Sequence, residues 1–251
     1  METIVPRADP VTNRHVWFFS VAILLAVSIA VKSDSEAAED KASWRTGSRI
    51  LFQGDSITDT HRGSESAPDA GLGHGYVYLV AARLSADQPG RRLVFGNRGV
   101  SGNTIHDLAM RWEADTIALR PEILSILIGI NDTTAEMPFA EFETAYERLL
   151  EQTKAALPNV RFVLCEPFAL LPAEPDGREN LWEADVRRRG RIVENLAKKY
   201  RAPFVRFQKV FDEARKTAPA AHWLYDGLHP THAGHQLMAD EWIRALSASD
   251  P

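Results

Sequence analysis

Ser56 is the first residue whose position in the sequence suggests chemistry. It lies in the segment GDS at residues 54–56, directly after an apolar run at residues 50–52. A serine hydroxyl becomes a useful nucleophile when a neighbouring base removes its proton. A tight turn from a strand into a helix would expose that hydroxyl at a sheet edge, with Gly54 permitting the bend and the helix start supplying backbone N–H groups. Taken alone, the segment is more typical of a helix cap, because Asp and Ser both cap helices.

His229 offers a base for Ser56 in a Gly- and Pro-bounded loop near the C-terminus. Asp226, three residues earlier, can bond to the imidazole and fix its tautomer. His229 could then accept the Ser56 proton and later deliver it to a leaving alcohol. Histidine suits this work because its unperturbed pKa is about 6.5. His232 and His235 compete for the role, but we expect both near the start of the last helix, in structural or solvent-exposed positions.

Two further segments could hold the negative charge that develops on an ester oxygen during attack. Gly102 lies in NRGVSGNT at residues 97–104. Glycines let the backbone approach a ligand closely, so the Gly102 N–H could point at an oxyanion. Asn131 lies at the end of the most apolar predicted strand, and its side-chain amide is a suitable second donor. Each segment alone is typical of a turn, with Asn103 or Thr104 capping the next helix. Together with the Ser56 and His229 segments, they indicate an active site.

The elements that must position these residues alternate between short β-rich runs and longer amphipathic stretches. Strands are predicted at residues 50–52, 93–95, 123–130, 162–164 and 204–205. Helices are predicted at residues 76–84, 105–119, 139–157 and 181–200, with two helical segments at the end. This alternation predicts an α/β fold, a flavodoxin-like three-layer α/β/α sandwich with a central parallel sheet of about five strands. Ligands of such sheets bind beyond the carboxyl ends of the strands, where the polar segments fall.

The N-terminus differs in character from the rest of the chain. Residues 16–31 are nearly all apolar, which is short for a spanning helix and typical of a signal-peptide core. We therefore predict a signal peptide or signal anchor at residues 1–31, a polar linker at 32–46 and one α/β domain, which carries the candidate site, at 47–249. The protein is expected to be exported, periplasmic or secreted. The alternative is a membrane anchor formed by residues 16–31.

The composition of the chain limits which partners and cofactors are expected. The formal net charge of −5 leaves no basic patch of the kind that a phosphate backbone requires, so we expect no nucleic acid. The single cysteine, Cys165, lies in an apolar run and is expected to be a buried, inert thiol. No cluster with metal-ligand spacing remains outside the candidate triad, so neither a cofactor nor a metal is expected.

Four segments of the chain resemble the SGNH/GDSL hydrolase family, whose marker residues are Ser, Gly, Asn and His. They are GDSITD at 54–59, NRGVSGNT at 97–104, GIND at 129–132 and DGLHP at 226–230, within a similarity that runs from about residue 46 to 247. The resemblance implies the SGNH hydrolase fold, a catalytic triad of Ser56, Asp226 and His229, and an oxyanion hole built from Ser56, Gly102 and Asn131.

Residues 71–77, 107–115 and 125–132 are similar to a bacterial subgroup that includes intracellular acetylxylan esterases. This implies a serine esterase that hydrolyses short-chain acetyl esters on carbohydrates such as acetylated xylo-oligosaccharides, and that could form a homo-oligomer. Two positions depart from the subgroup. Tyr225 replaces a Trp, and the stretch at residues 133–136 is shorter and less aromatic than the corresponding stretch in the subgroup. The alternatives are a lysophospholipase or thioesterase, which needs an apolar acyl channel, and a non-catalytic glycan-binding module, which a complete triad disfavours.

Overall fold

The computed structural model describes residues 45–63, 70–172 and 180–248. All of them fall in one compact unit, Trp44–Pro251. The predicted signal peptide or anchor at residues 1–31, and all but the last two residues of the predicted linker at 32–46, lie outside the described residues. Within the described ranges, no helix is both long enough and apolar enough to cross a membrane.

Five strands form a single parallel sheet with the order β2-β1-β3-β4-β5. They are β1 (Arg49–Gly54), β2 (Val94–Asn97), β3 (Ile123–Leu127), β4 (Arg161–Cys165) and β5 (Phe204–Val205). This is the flavodoxin-like order, which confirms the predicted fold class. The strand order reverses between β1 and β3, so a ligand crevice is expected at their carboxyl ends. The register places Gly54 beside Leu127 at that edge.

Nine α-helices connect and cover these strands in the described part of the chain. They are α1 (Ser56–Asp59), α2 (Tyr76–Asp87), α3 (Ile105–Trp112), α4 (Ile130–Thr134), α5 (Phe139–Ala156), α6 (Leu181–Tyr200), α7 (Phe207–Ala214), α8 (Ala220–Trp223) and α9 (His232–Ser247). The helix predicted at residues 105–119 ends earlier and continues as a π-helical turn at Glu113–Ile117. Three helical segments, rather than the predicted two, end the chain.

The central strand is shorter than predicted. The apolar run at residues 123–130 was expected to form one strand, but β3 ends at Leu127 and Ile130 begins α4. Gly129 turns the chain between them with a φ of 137°, which is open to glycine and rarely to other residues. This turn places Asn131 inside a short helix at the carboxyl edge of the sheet.

Side chains alternate along each strand and build one core on each face of the sheet. Ile50 and Phe52 of β1 point to the face covered by α2, α7 and α9, and Leu51 points to the face covered by α3, α5 and α6. Ser125, in the middle of β3, accepts a hydrogen bond of 2.9 Å from the indole N–H of Trp242 on α9. Cys165 is buried, as its apolar run predicts, and burial raises the pKa of its thiol to about 12.

Candidate active site

Ser56 is the first residue of α1, immediately beyond the carboxyl end of β1. Asp55 caps this helix, because its Oδ1 accepts a 3.0 Å hydrogen bond from the Ile57 N–H. Gly54 has no positive φ, so the turn into α1 does not use the left-handed region that favours glycine. A Cβ at Gly54 would lie 2.4 Å from both the Leu127 carbonyl oxygen and Thr58 Oγ1. Glycine is therefore required by the close approach of β1 to β3 and α1.

The structure brings together Ser56 and His229, which are 173 residues apart in the sequence, and adds Asp226 behind the imidazole. Ser56 Oγ lies 2.9 Å from His229 Nε2, and His229 Nδ1 lies 2.7 Å from Asp226 Oδ2. A carboxylate at Nδ1 favours the tautomer that carries its proton there. Nε2 is then the acceptor for the serine hydroxyl proton. The three groups therefore form a continuous hydrogen-bonded series.

Asp226 also organises the loop that carries His229. Its Oδ1 accepts the backbone N–H groups of Leu228 at 2.9 Å and of His229 at 2.7 Å. Burial acts to raise the pKa of Asp226, but these bonds and the one to the imidazole together lower it below its ordinary value. The carboxylate is therefore ionised throughout the neutral pH range. The loop is closed by a 3.0 Å hydrogen bond from the Tyr225 N–H to the His229 carbonyl.

Tyr225 covers one face of His229. The two rings are stacked, with centroids 5.6 Å apart and planes inclined by 17°. Tyr225 is nevertheless 63% exposed, so the other parts of its ring face solvent at the rim of the site. The position that departs from the acetylxylan esterase subgroup therefore still presents an aromatic ring beside His229.

Three groups are available to bind an oxyanion. The Ser56 N–H occupies the first position of a helix, where a backbone donor has no intrahelical partner. Gly102 has a φ of 83°, a Cβ there would meet nothing within 4 Å, and its N–H donates no hydrogen bond within the described ranges. Asn131 Nδ2 donates to the Asn103 carbonyl at 3.0 Å, which orients its amide. Thr104, one of the two predicted caps, caps α3.

Arg111 holds the loop that carries Gly102, a role that sequence reasoning missed. Its Nε donates to Asn103 Oδ1 at 2.8 Å, and its Nη1 donates to the Arg98 carbonyl at 2.7 Å and to Asp115 Oδ2 at 3.0 Å. These bonds fix both ends of the loop to α3 and to the π-helical turn that follows it. The only signal in the sequence was an arginine on a helix directly after the loop.

Two buried carboxyl groups, Asp55 and Asp132, lie beneath the site. Asp132 Oδ1 accepts a 2.9 Å hydrogen bond from the Ile105 N–H at the start of α3. The Oδ2 atoms of both residues are buried and lack a hydrogen-bond partner in the described structure. Burial, with a smaller contribution from the charge of Asp132, raises the pKa of Asp55 to about 7. Burial also raises the pKa of Asp132. Sequence reasoning treated Asp55 only as a cap.

We expect Asp55→Asn to stabilise the protein at pH 8 relative to the wild type, and to lose this advantage at pH 4. Asp55 has a folded-state pKa of about 7, above the unfolded value near 3.9. Between these values the unfolded state releases the proton and the folded state keeps it, so wild-type stability falls as pH rises through this window. The amide removes this loss, which is about 1–4 kcal/mol.

The measurement is the free energy of unfolding in urea at both pH values, with exposed Asp185→Asn as the matched control. An Asp55→Asn variant whose stability relative to the wild type is the same at pH 4 and pH 8 would contradict the buried, protonated Asp55.

We expect Asn131→Ala to lower kcat by about 10²–10³ while the fold survives, because one oxyanion donor typically contributes that much. The remaining donors on Ser56 and Gly102 account for the residual rate. Thr134→Ala, on the same short helix, is the control. Steady-state kinetics on an acetyl ester give the comparison, and a near-wild-type kcat in Asn131→Ala would remove Asn131 from the oxyanion hole.

A hydroxyl, an imidazole and a carboxylate bonded in series at the edge of an α/β sheet form the arrangement of serine hydrolases. The chain belongs to the GDSL-like lipase/acylhydrolase family, whose model matches residues 52–237, and it is a carboxylic ester hydrolase. An acetylxylan esterase from Geobacillus stearothermophilus is 34% identical in an alignment of 213 positions that covers 80% of this chain and 94% of that protein. The resemblance seen in the sequence is thereby confirmed.

Solved structures give the same family. A protein from Parabacteroides merdae, described as a GDSL-like lipase, superposes with a TM-score of 0.75 at 37% identity, covering 82% of this chain and 98% of that one. A catalytic mutant of the Geobacillus stearothermophilus acetylxylan esterase superposes with a TM-score of 0.74 at 32% identity, covering 82% and 96% of the two chains. Within the described residues of this chain, no group of three His, Cys, Asp or Glu side chains is placed to hold a metal.

Proposed function

We propose that this esterase removes acetyl groups from carbohydrate hydroxyls, as in acetylated xylo-oligosaccharides, through a Ser-His-Asp acyl-enzyme mechanism. The observation that carries the proposal is the cavity of about 420 Å³ that opens beside Ser56 and His229 and is lined mainly by residues with hydroxyl or imidazole groups. The similarity to an acetylxylan esterase supports the same substrate class.

The mechanism has two half-reactions. Ser56 Oγ attacks the ester carbonyl carbon while His229 Nε2 takes the hydroxyl proton, and Asp226 stabilises the imidazolium that forms. The carbonyl oxygen becomes an oxyanion bound by the N–H groups of Ser56 and Gly102 and by the amide of Asn131. His229 then protonates the leaving alcohol oxygen, which leaves an acetyl group on Ser56. Water activated by His229 releases acetate in the second half-reaction.

The position of the cavity supports placing the alcohol part of the ester in it. The leaving oxygen must come within reach of His229, because His229 supplies its proton. The oxyanion must instead face Gly102 and Asn131, and neither of these residues lines the cavity. The alcohol therefore leaves on the side of His229, where the cavity opens.

The lining of this cavity suits a hydroxylated alcohol. Hydroxyl and imidazole groups predominate among the described lining residues, and only Ile57 and Pro230 lack a polar side chain. The exposed ring of Tyr225 at the rim offers a flat apolar surface beside these polar groups. A sugar ring has a matching apolar face and hydroxyl groups around its edge. A lysophospholipase or thioesterase differs in needing an apolar channel for a long acyl chain, so acyl length distinguishes these alternatives.

The test is the release of acid from acetylated xylo-oligosaccharides and from 4-nitrophenyl esters of acetate, butyrate and octanoate, with Ser56→Ala as the blank. We expect acetate release from the oligosaccharides and a kcat/KM that falls by at least about tenfold from acetate to octanoate, as specificity for the acetyl group requires. A higher kcat/KM for octanoate would overturn the acetyl assignment. Cleavage of 4-nitrophenyl acetate without any acetate from the oligosaccharides would overturn the carbohydrate assignment alone.

A further inference from the structure

His235 lines the same cavity as Ser56 and His229. The sequence placed it near the start of the last helix with a structural or solvent-exposed role. It does lie in the first turn of α9, but its side chain is only 7% exposed and borders the cavity. A buried imidazole beside the reacting groups is not used by the mechanism above.

The backbone fixes the tautomer of His235. The Tyr76 N–H at the start of α2 donates a 3.2 Å hydrogen bond to His235 Nδ1, so Nδ1 is the acceptor and the proton of the neutral ring is on Nε2. Burial, with a smaller contribution from the nearby charge of His229, lowers the pKa of His235 to about 4. The ring is therefore neutral in the working range, and Nε2 is a donor throughout it.

The surrounding packing fixes the direction of the ring. A Cβ at Gly75 would lie 2.8 Å from His235 Cε1, so the absence of a side chain there makes room for the imidazole. The helix that carries His235 is itself fixed at its start, because Thr231 caps it and a Cβ at Gly234 would lie 2.2 Å from the Trp223 carbonyl oxygen. Nε2 has no hydrogen-bond partner among the described residues. A rigidly held donor in a cavity wall is suited to an oxygen of a ligand.

We infer that His235 determines specificity by donating its Nε2–H to an oxygen of the alcohol part of the substrate, a sugar hydroxyl or ring oxygen. The inference rests on the proposed esterase function, which places the alcohol in this cavity. His235 does not exchange a proton in the reaction. It binds the leaving group, whereas His229 protonates it.

Two substitutions of His235 distinguish the role of its Nε2–H as a hydrogen-bond donor from the role of its side chain in packing. His235→Asn keeps an acceptor near the Nδ1 position for the Tyr76 N–H and removes the donor at Nε2. His235→Gln places its amide near the Nε2 position and keeps a donor there. His106→Asn, on the surface of α3 and paired with Glu141, is the matched control outside the cavity.

The experiment compares kcat/KM for three acetates: acetylated xylo-oligosaccharide, glycerol monoacetate and 4-nitrophenyl acetate. All three give the same acetyl-enzyme, so kcat/KM reports acylation, the step in which the alcohol is present. The aryl leaving group carries no hydroxyl or ring oxygen. We expect His235→Asn to lower the ratio of the hydroxylated acetates to the aryl acetate by about five- to tenfold, mainly through KM, as for one neutral hydrogen bond. The ratio should be largely restored in His235→Gln and unchanged in His106→Asn.

Equal losses on all three acetates would overturn the inference, because they would mean that His235 only supports the fold or His229. An unchanged ratio in His235→Asn would overturn it as well. The proposed function fails in a different way: if the wild type cleaves glycerol monoacetate but not the oligosaccharide, the carbohydrate assignment is wrong. A selective loss on glycerol monoacetate in His235→Asn would then still uphold the role of His235.

Discussion

Ser56→Ala is expected to lower the kcat for acetyl ester hydrolysis by about 10⁴–10⁶, because removing the nucleophile leaves only binding and oxyanion stabilisation to assist attack by water. The fold should survive the change. Among the described residues, the Ser56 side chain hydrogen-bonds only to His229, and the cap of α1 is provided by Asp55. The substitution therefore removes a reacting atom and leaves the elements around it in place.

The measurement combines steady-state kinetics with mass spectrometry of protein quenched during turnover. Wild-type protein should carry one acetyl group in a peptide that contains Ser56, and the variant should carry none. Ser247→Ala, near the C-terminal end of α9, is the matched control and should retain full activity. A Ser56→Ala variant with a kcat within about tenfold of the wild type would exclude Ser56 as the nucleophile.

The sheet could be predicted because its determinants are local. Apolar runs separated by amphipathic stretches define strands and helices without knowledge of the tertiary structure. Parallel strands then place their carboxyl ends at one edge, and this is why Ser56 and Asn131, which follow β1 and β3, could be assigned to one site. Placing His229 at the same edge required further information from the sequence, because its loop follows no predicted strand. The Asp226 and His229 spacing and the family resemblance supplied that step.

The features that escaped prediction depend on contacts between distant segments. The run at residues 123–130 is almost entirely apolar, so periodicity could not show that the strand ends at Leu127 and that Ile130 begins a helix. The role of His235 depends on the approach of α9 to the start of α2, which no local pattern encodes. Asp55 and Asp132 are also far apart in the sequence, so the effect of the Asp132 charge on the pKa of Asp55 could not be predicted either.

Asp226→Asn is expected to lower kcat by about 10⁴ without unfolding the loop. The amide oxygen can still accept the Leu228 and His229 N–H groups, as Asp226 Oδ1 does. Its NH₂ group, however, faces His229 Nδ1 with a donor in place of an acceptor. The imidazole then keeps its proton on Nε2, and that nitrogen can no longer accept the proton of Ser56.

Asp226→Ala distinguishes the effect of a wrong His229 tautomer from the effect of losing the Asp226 carboxylate charge. The side chain of Asp226 is 43% exposed, so water can occupy the space left by alanine and either tautomer of His229 can form. We therefore expect Asp226→Ala to retain a higher kcat than Asp226→Asn, although both fall far below the wild type and below the Asp240→Asn control on α9. The comparison requires kcat of all four proteins on one acetyl ester. Near-wild-type activity in both Asp226 variants would remove Asp226 from the triad. An alanine variant less active than the asparagine variant would mean that Asp226 acts mainly by holding the loop, since asparagine preserves those backbone bonds and alanine does not.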